Sequence, residues 1–270
     1  MNKVKLSIII VNYNCGKYLK ECITSIYNKC SSFTFEIIIF DNNSSDDSLN
    51  FLENNFKEVI LLKNDKNLGF AGGNNKATRN AEGEYLLLLN NDTVILENIY
   101  PLFSFFENDN EIGVLGIKML NSQQKYIPSF GKFPSPISLL KFSNLNYNST
   151  EFLTGNFNGK NHIQVDWVSG SFLMMKNKDW QQVKGLDEDY FMYVEDVDFC
   201  KKIAQIGKKT VLVPSISYIH HIGFNTKREI NLIKGYFLYS SKHFNKFEQI
   251  IAKLSLSFNY AVKKAFKNLH

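Results

Sequence analysis

Residues 84–96, EYLLLLNNDTVIL, run four consecutive leucines into Asn90-Asn91-Asp92, and no other stretch constrains the fold as strongly. Four leucines are too few to cross a bilayer, which takes roughly 18 or more apolar residues, but they suit a strand buried on both faces of a helix-covered parallel sheet. That strand ends in a carboxylate. In open α/β sheets ligands sit beyond the carboxyl ends of the strands, so Asp92 stands where a ligand is expected.

The same pattern precedes it three times. Residues 6–11 are a β-branched run ending in Asn12-Tyr13-Asn14, after which Leu19, Cys22, Ile23 and Ile26 repeat at helical spacing over 16–27. Residues 35–40 predict a second strand, ending in Asp41 and a loop of helix-capping side chains before Leu49 and Leu52. Residues 59–62 predict a third, followed by Asn67-Leu68-Gly69-Phe70-Ala71-Gly72-Gly73-Asn74-Asn75 and a helix to about Ala81. Such alternation argues a mostly parallel sheet with right-handed crossovers. Asn12, Asp41, Asn67 and Asp92 would then share one rim of the sheet. Turn chemistry explains any one of these loops; four in series point to a site.

Residues 118–163 have little periodicity and read either as a loop-rich insertion covering a substrate or as a surface excursion. Order returns at 164–176, QVDWVSGSFLMMK, an apolar strand pair broken at Gly170, with a short helix over 178–183. A helix from near Glu195 closes at Gly207, and residues 210–213 predict a last strand before Pro214, leading to His220-His221.

At 270 residues and 44% hydrophobic, the chain can bury the core of one large α/β domain with an appendage. Asn12 and Asn14 interrupt the N-terminal apolar run and no small-residue cleavage site follows, so no signal peptide is expected. Cys15, Cys22, Cys30 and Cys200 lack any CxxC pairing, which fits a reducing cytosol and argues against a zinc ribbon or disulfide scaffold. Residues 226–270 hold nine Lys/Arg and two Asp/Glu, net +7, leaving 22 basic and 24 acidic residues, net −2, elsewhere. The basicity belongs to the tail.

A second acidic cluster spans 185–198, GLDEDYFMYVEDVD, with six carboxylates among aromatic and aliphatic side chains. Glu195, Asp196 and Asp198 fall in the first turn of a helix, where the dipole favours negative charge, so capping is one reading. The other is a general base, because apolar surroundings raise a carboxyl pKa towards working pH. Asp92 alone is a weak metal ligand, yet hard Mg²⁺ or Mn²⁺ needs few protein oxygens when a diphosphate supplies the rest. His220 or His221 would complete such a shell, or serve as a hydrogen-bonded structural residue. The glycines at 69–73 would let backbone amides approach phosphate. They match neither GxGxxG nor a P-loop, and no GxSxG is present.

With these segments assembled, the chain resembles the large family 2 of inverting glycosyltransferases, especially its bacterial rhamnosyltransferase-like members. That family has the GT-A fold, a Rossmann-like α/β architecture with a mostly parallel central sheet flanked by helices. The resemblance runs from about Lys5 to Thr226 and rests on SIIIVNYN at 7–14, FDNNSSDDS at 40–48, NLGFAGGNN at 67–75, LLNNDT at 88–93, WVSGSFLMMK at 167–176, GLDEDYFMYVEDVDFC at 185–200 and HHIGFNT at 220–226.

The resemblance implies that Val11, Asn12, Tyr13 and Asp41 hold the nucleoside, with Asp41 facing the pyrimidine. Asn67, Gly69, Gly72 and Asn74 would line the nucleotide-sugar pocket with Asn90 and Asn91. Asn90-Asn91-Asp92 stands at the family's DxD-type motif with asparagine for the first aspartate, which leaves Asp92 to bind Mn²⁺ or Mg²⁺ beside His220. Glu195-Asp196 matches the pair that supplies the base, assigned to Asp196 with Glu195 its rival. The implied activity is inverting transfer of rhamnose or another hexose from dTDP-rhamnose or a UDP-sugar to a glycan or lipid-linked acceptor in cell-surface polysaccharide synthesis. The chain would divide into a GT-A domain at 1–226 and a basic amphipathic helical tail at 227–270.

In that tail Ile233, Phe237, Leu238, Ile250, Ile251, Leu254 and Phe258 fall at helical spacing among lysines. It would pack on the catalytic domain or lie on an anionic membrane surface, placing a cytoplasmic protein at the inner face of the cell membrane. A rival reading is a noncatalytic sugar-nucleotide-binding or adaptor protein with the same tail, supported by the incomplete DxD motif and opposed by the retained acidic pair and histidine. No nucleic-acid role is expected, since the body is net negative and carries no stacking platform or zinc motif.

Overall fold

The structure, a computed structural model, describes residues 3–221 and 228–267. The chain runs β1 (Leu6–Asn12), α1 (Gly16–Lys29), β2 (Phe35–Asp41), α2 (Ser48–Asn55), β3 (Ile60–Lys63), α3 (Gly69–Thr78), β4 (Tyr85–Leu89), β5 (Thr93–Ile95), α4 (Leu102–Asn108) and β6 (Ile112–Leu120). Then follow β7 (Tyr126–Ile127), β8 (Phe130–Gly131), α5 (Thr150–Thr154), β9 (Ile163–Val165), β10 (Trp167–Val168), β11 (Phe172–Lys176), α6 (Asn177–Gln182), α7 (Glu195–Gln205), β12 (Lys209–His220), α8 (Arg228–His243) and α9 (Lys246–Lys267).

The main sheet has the order β3-β2-β1-β4-β11-β6-β12-β5. Strands β3, β2, β1 and β4 are parallel, β11 lies antiparallel between β4 and β6, and β12 runs parallel to β6. The chain moves outward from β1 through β2 to β3 and then crosses to the far side of β1 to lay down β4. That reversal opens a crevice between the carboxyl ends of β1 and β4.

The leucine run shows why the sheet is covered on both faces. Successive strand residues point to opposite sides. Leu87 and Leu89 join Leu19, Ile23 and Ile26 of α1 in one core, while Leu86 and Leu88 join Ala71 and Ala77 of α3 in the other. Each buried side chain is worth about 1.5–3 kcal/mol over exposure. A one-residue slip would exchange the two cores, so register is strongly held.

Three expectations change. Residues 84–96 divide into β4 and β5, because the polar Asn90-Asn91-Asp92 leaves the sheet between them. Helix α3 ends at Thr78 rather than near Ala81, since the Asn80 and Ala81 amides donate to Ala77 and Thr78 in tight three-residue turns. The last strand does not stop at Pro214; β12 continues to His220, with a register shift between Val213 and Ser217 where proline's missing donor is accommodated. Residues 222–226 of the HHIGFNT segment, and the division at 226/227, lie outside the described residues.

Helices α8 and α9 pack on the body through Tyr236, Tyr239, Ala252 and Leu256, which meet Tyr190, Val194, Val197, Leu139 and Leu145 in a third core. Tyr193 and Val194, just before α7, hold φ of 71° and 73°. This left-handed conformation is costly for a β-branched residue and persists only where its surroundings enforce it. Helix α8 is one enforcer: a Cβ at Gly235 would fall 2.7 Å from Val194 Cγ2 and 3.0 Å from the Tyr193 carbonyl oxygen. Gly235→Val should therefore overpack this contact and cost about 1–3 kcal/mol, read as a lower midpoint in chemical denaturation.

Candidate active site

The carboxyl ends of β1 and β2 are joined by side chains. Asn12 and Asp41 sit opposite each other in register, both buried, and Asn12 Nδ2 donates to Asp41 Oδ1 at 2.9 Å. The same amide nitrogen lies 3.0 Å from Ser44 Oγ and 2.9 Å from Ser48 Oγ. Asp41 Oδ2 accepts from the Ser44 amide, which shapes the loop into α2. Asn91 Nδ2 donates to Asn12 Oδ1 at 3.0 Å and brings the end of β4 into this network.

Asn67 and Gly69 form the entry to α3. Asn67 Oδ1 accepts from the Gly69 amide, and Asn42 ties the turn by accepting from Leu68 N and donating to the Gly69 carbonyl. Gly69 has φ of 73°, and a Cβ there would meet the Phe191 carbonyl oxygen at 2.1 Å. Asn74 is buried, with Nδ2 bonded to the Phe70 carbonyl of its own helix. Gly72 is buried beside Leu68, Val11 abuts Gly73, and Tyr13 is exposed.

Across the crevice, β12 pairs with β5 in the register His220 opposite Thr93, which sets His220 beside Asp92. His220 Nε2 lies 3.1 Å from Asp92 Oδ1 and 3.2 Å from Asn90 Nδ2. The two neighbours compete: Asp92 requires a proton on that nitrogen, whereas the Asn90 amide requires its lone pair. A cation would suit the bare nitrogen and the carboxylate together. The 3.1 Å between Asp92 Oδ1 and His220 Nε2 would let the two share one hard divalent ion. His221 has other partners. It stacks on Tyr18 at 4.6 Å, approaches Ser122 Oγ at 2.9 Å and gives its backbone amide to the Asp92 carbonyl. Among the described residues no group of three or more His, Cys, Asp and Glu side chains is arranged for a metal, so for any ion held here a ligand would have to supply most of the shell.

The six carboxylates of the second cluster separate once their partners are seen. Asp187 and Asp189 bind Lys242 of α8 at 2.8 and 2.7 Å, Glu188 accepts from Asn75, and Asp198 meets His243 Nε2 at 2.7 Å. Glu195 and Asp196 remain. Glu195 is buried with Oε2 unpartnered, and burial, reinforced by the Asp196 charge, holds it well above the ordinary carboxylate range. Asp196 keeps some solvent access, and desolvation raises it against the pull of amide donors: Gly170 N to Oδ2 at 3.0 Å and Val197 N to Oδ1 at 2.9 Å.

Gly170 and Tyr218 belong to this site although neither stood out as a site residue in the sequence. The signal for Gly170 was a glycine interrupting an apolar strand pattern, a mark of close backbone approach. It precedes β11, and antiparallel pairing of Phe172 with Leu89 carries its loop to the end of β4. Tyr218 is buried, its hydroxyl 2.6 Å from Ser171 Oγ, and its pKa is raised by burial and then by the charges of both Asp92 and Asp196. His243 was likewise missed, because only tertiary packing brings α8 to α7.

A sheet of this order, with its crevice at the β1/β4 reversal and an acidic pair opening α7, has the GT-A glycosyltransferase architecture. Solved glycosyltransferases share it: GalNAc-T7, crystallised with UDP, GalNAc and Mn²⁺, superposes with a TM-score of 0.71 at 16% identity, over 91% of this chain and 49% of that one. The sequence model described as Glycosyl transferase family 2 matches residues 7–176, and the chain belongs to that family. Rhamnosyltransferase WbbL of Escherichia coli K12 is 24% identical over 235 residues, 79% of this chain and 82% of its own length. The N-acetylglucosaminyl-diphospho-decaprenol L-rhamnosyltransferase of Mycobacterium tuberculosis H37Rv is 26% identical over 245 residues, 83% and 78% of the two chains. The protein is a glycosyltransferase.

Glu195 binds its proton more tightly folded than unfolded, so its ionisation adds no penalty below the ordinary carboxylate pKa, and the penalty grows as pH rises from there to the raised value. Glu195→Gln should thus raise the unfolding temperature at neutral pH, and the gain should vanish on acidification to about pH 4, measured by calorimetry across that range.

Proposed function

We propose that this glycosyltransferase moves rhamnose or another hexose from a dTDP- or UDP-linked donor to a hydroxyl of a glycan or lipid-linked acceptor, with inversion at the anomeric carbon, in cell-surface polysaccharide synthesis. The observation that carries the reading is geometric: the loop before β11 joins the two acidic regions, the Ser171 carbonyl accepting from the Asn90 amide at 3.1 Å and the Gly170 amide donating to Asp196 at 3.0 Å. The two rhamnosyltransferase relatives support the sugar, and the diphospho-decaprenol in the mycobacterial name supports a lipid-linked acceptor. With such an acceptor the reaction would run at the inner face of the cell membrane.

Asp196 is the base. It takes the proton of the acceptor hydroxyl as the oxygen attacks the anomeric carbon from the face opposite the nucleotide, and a single displacement inverts that centre. Desolvation raises its pKa, which strengthens it as a base, and the Gly170 and Val197 amides oppose that rise. Asn12, Tyr13, Val11 and Asp41 would hold the nucleoside, and Asn67, Gly69, Gly72, Asn74, Asn90 and Asn91 would line the donor pocket. Asp92 and His220 would hold Mn²⁺ or Mg²⁺, which when bound supplies positive charge to the departing diphosphate. Residues 1–226 form the transfer unit in this reading, and 227–270 are appended to brace the turn before α7.

Asp196→Asn should lower transfer by about 10²–10⁴-fold while donor affinity by calorimetry stays unchanged; substantial residual turnover would return the role to Glu195. Asp92→Ala should remove the Mn²⁺ dependence of donor affinity in the same titration, and a metal dependence equal to wild type would reject that ligand.

A further inference from the structure

Helix α9 carries two apolar faces where packing on the body needs one. Its inner face is settled: Ala252, Ser255, Leu256 and Asn259 are buried, and Asn259 Nδ2 donates to the Leu139 carbonyl at 3.1 Å, which fixes the rotation of the helix about its axis. That rotation turns Phe247, Ile250, Leu254 and Phe258 outward, at 71%, 60%, 66% and 60% exposure. Their spacing of three and four residues puts them on one stripe, which Val262 extends. From Phe247 to Val262 the stripe is about 22 Å long at 1.5 Å per residue. Large side chains so exposed and so aligned mark an interaction face.

The charges around the stripe identify its occupant. At 100° per residue Lys246, Lys253 and Lys264 fall together on one flank of the stripe, and all three are exposed. Lys263, turned to the body, is instead engaged by Glu229 at 3.6 Å and lies over the Phe142 ring. After Glu248 no Asp or Glu follows to residue 270. A second copy laid on this face would set its own lysine row against the first, and Glu248, on the other flank, is already taken by the Asn245 amide at 2.9 Å. An anionic bilayer answers both features: the stripe enters the boundary between headgroups and acyl chains, and the lysines reach phosphate with their stems along the apolar surface. No helix among the described residues is long and apolar enough to cross a membrane, so α9 would lie in the surface plane.

We propose that the outward face of α9 docks this enzyme onto an anionic lipid bilayer. The docked helix is joined to the catalytic turn, because α8 and α9 share one core with Tyr190, Val194 and Val197, and the enzyme would therefore work with its acidic pair tethered near the lipid surface.

The full-length protein should float with vesicles of phosphatidylcholine and phosphatidylglycerol and stay behind with phosphatidylcholine alone. Leu254→Glu with Phe258→Glu should lower the floating fraction about ten-fold, and Lys253→Glu with Lys264→Glu should lower it and remove its salt dependence. These positions are exposed, so circular dichroism melts should match wild type. Absence of wild-type flotation, equal flotation of the Leu254/Phe258 variant, or a dimer in sedimentation equilibrium that the variant abolishes while vesicles bind neither protein would each overturn the proposal. Hydrolysis of a soluble sugar nucleotide, measured on the same variants, tests the catalytic reading separately and should not change.

Discussion

Strand β4 is covered on both faces, and this burial organises the rest of the molecule. Its alternate leucines are divided between the core under α1 and the core under α3. A strand in that position has no side chain free for a ligand until it leaves the sheet. Side chains free to meet a ligand are therefore displaced to Asn90-Asn91-Asp92, where three side chains meet two neighbours: Asn91 reaches Asn12, while Asn90 and Asp92 both reach His220. The crevice is the place where a packed sheet runs out of apolar residues.

The two acidic regions differ in how their charge is accommodated. Asp92 has an imidazole at 3.1 Å, whereas Glu195 is desolvated beside Asp196 with one oxygen unpartnered. An uncompensated buried carboxylate is costly, and such costs gather at functional sites. Here the site is held from outside. Lys242 and His243 of α8 take Asp187, Asp189 and Asp198, and Gly235 admits the helix against the left-handed turn at Tyr193 and Val194. The C-terminal helices thus brace the acidic-pair side of the crevice as well as presenting an outer face of their own.

Much of this was legible in residue order. Strand-end positions of Asn12, Asp41 and Asp92 follow from apolar runs that stop at polar loops, and their shared rim follows from parallel connection. The six carboxylates at 187–198 could not be sorted in that way, because a lysine or histidine some fifty residues later does not declare which acid it will meet. Gly170 shows the same limit: it broke a strand pattern, but only the antiparallel insertion of β11 beside β4 takes its amide to Asp196. His220 and His221 are adjacent in the chain, and the pairing of β12 with β5 sends one to Asp92 and the other to Tyr18.

By itself the sequence determined the alternation of strand and helix, the covered sheet, the polar strand ends and a basic amphipathic tail, because these depend on periodicity and on where apolar runs stop. Tertiary structure decided which carboxylates are neutralised and which are left strained, which imidazole faces the crevice, and which face of α9 is turned outward. Those depend on distances between residues far apart in the chain, and hydrogen bonds and desolvation act only over a few ångströms once the chain has closed upon itself.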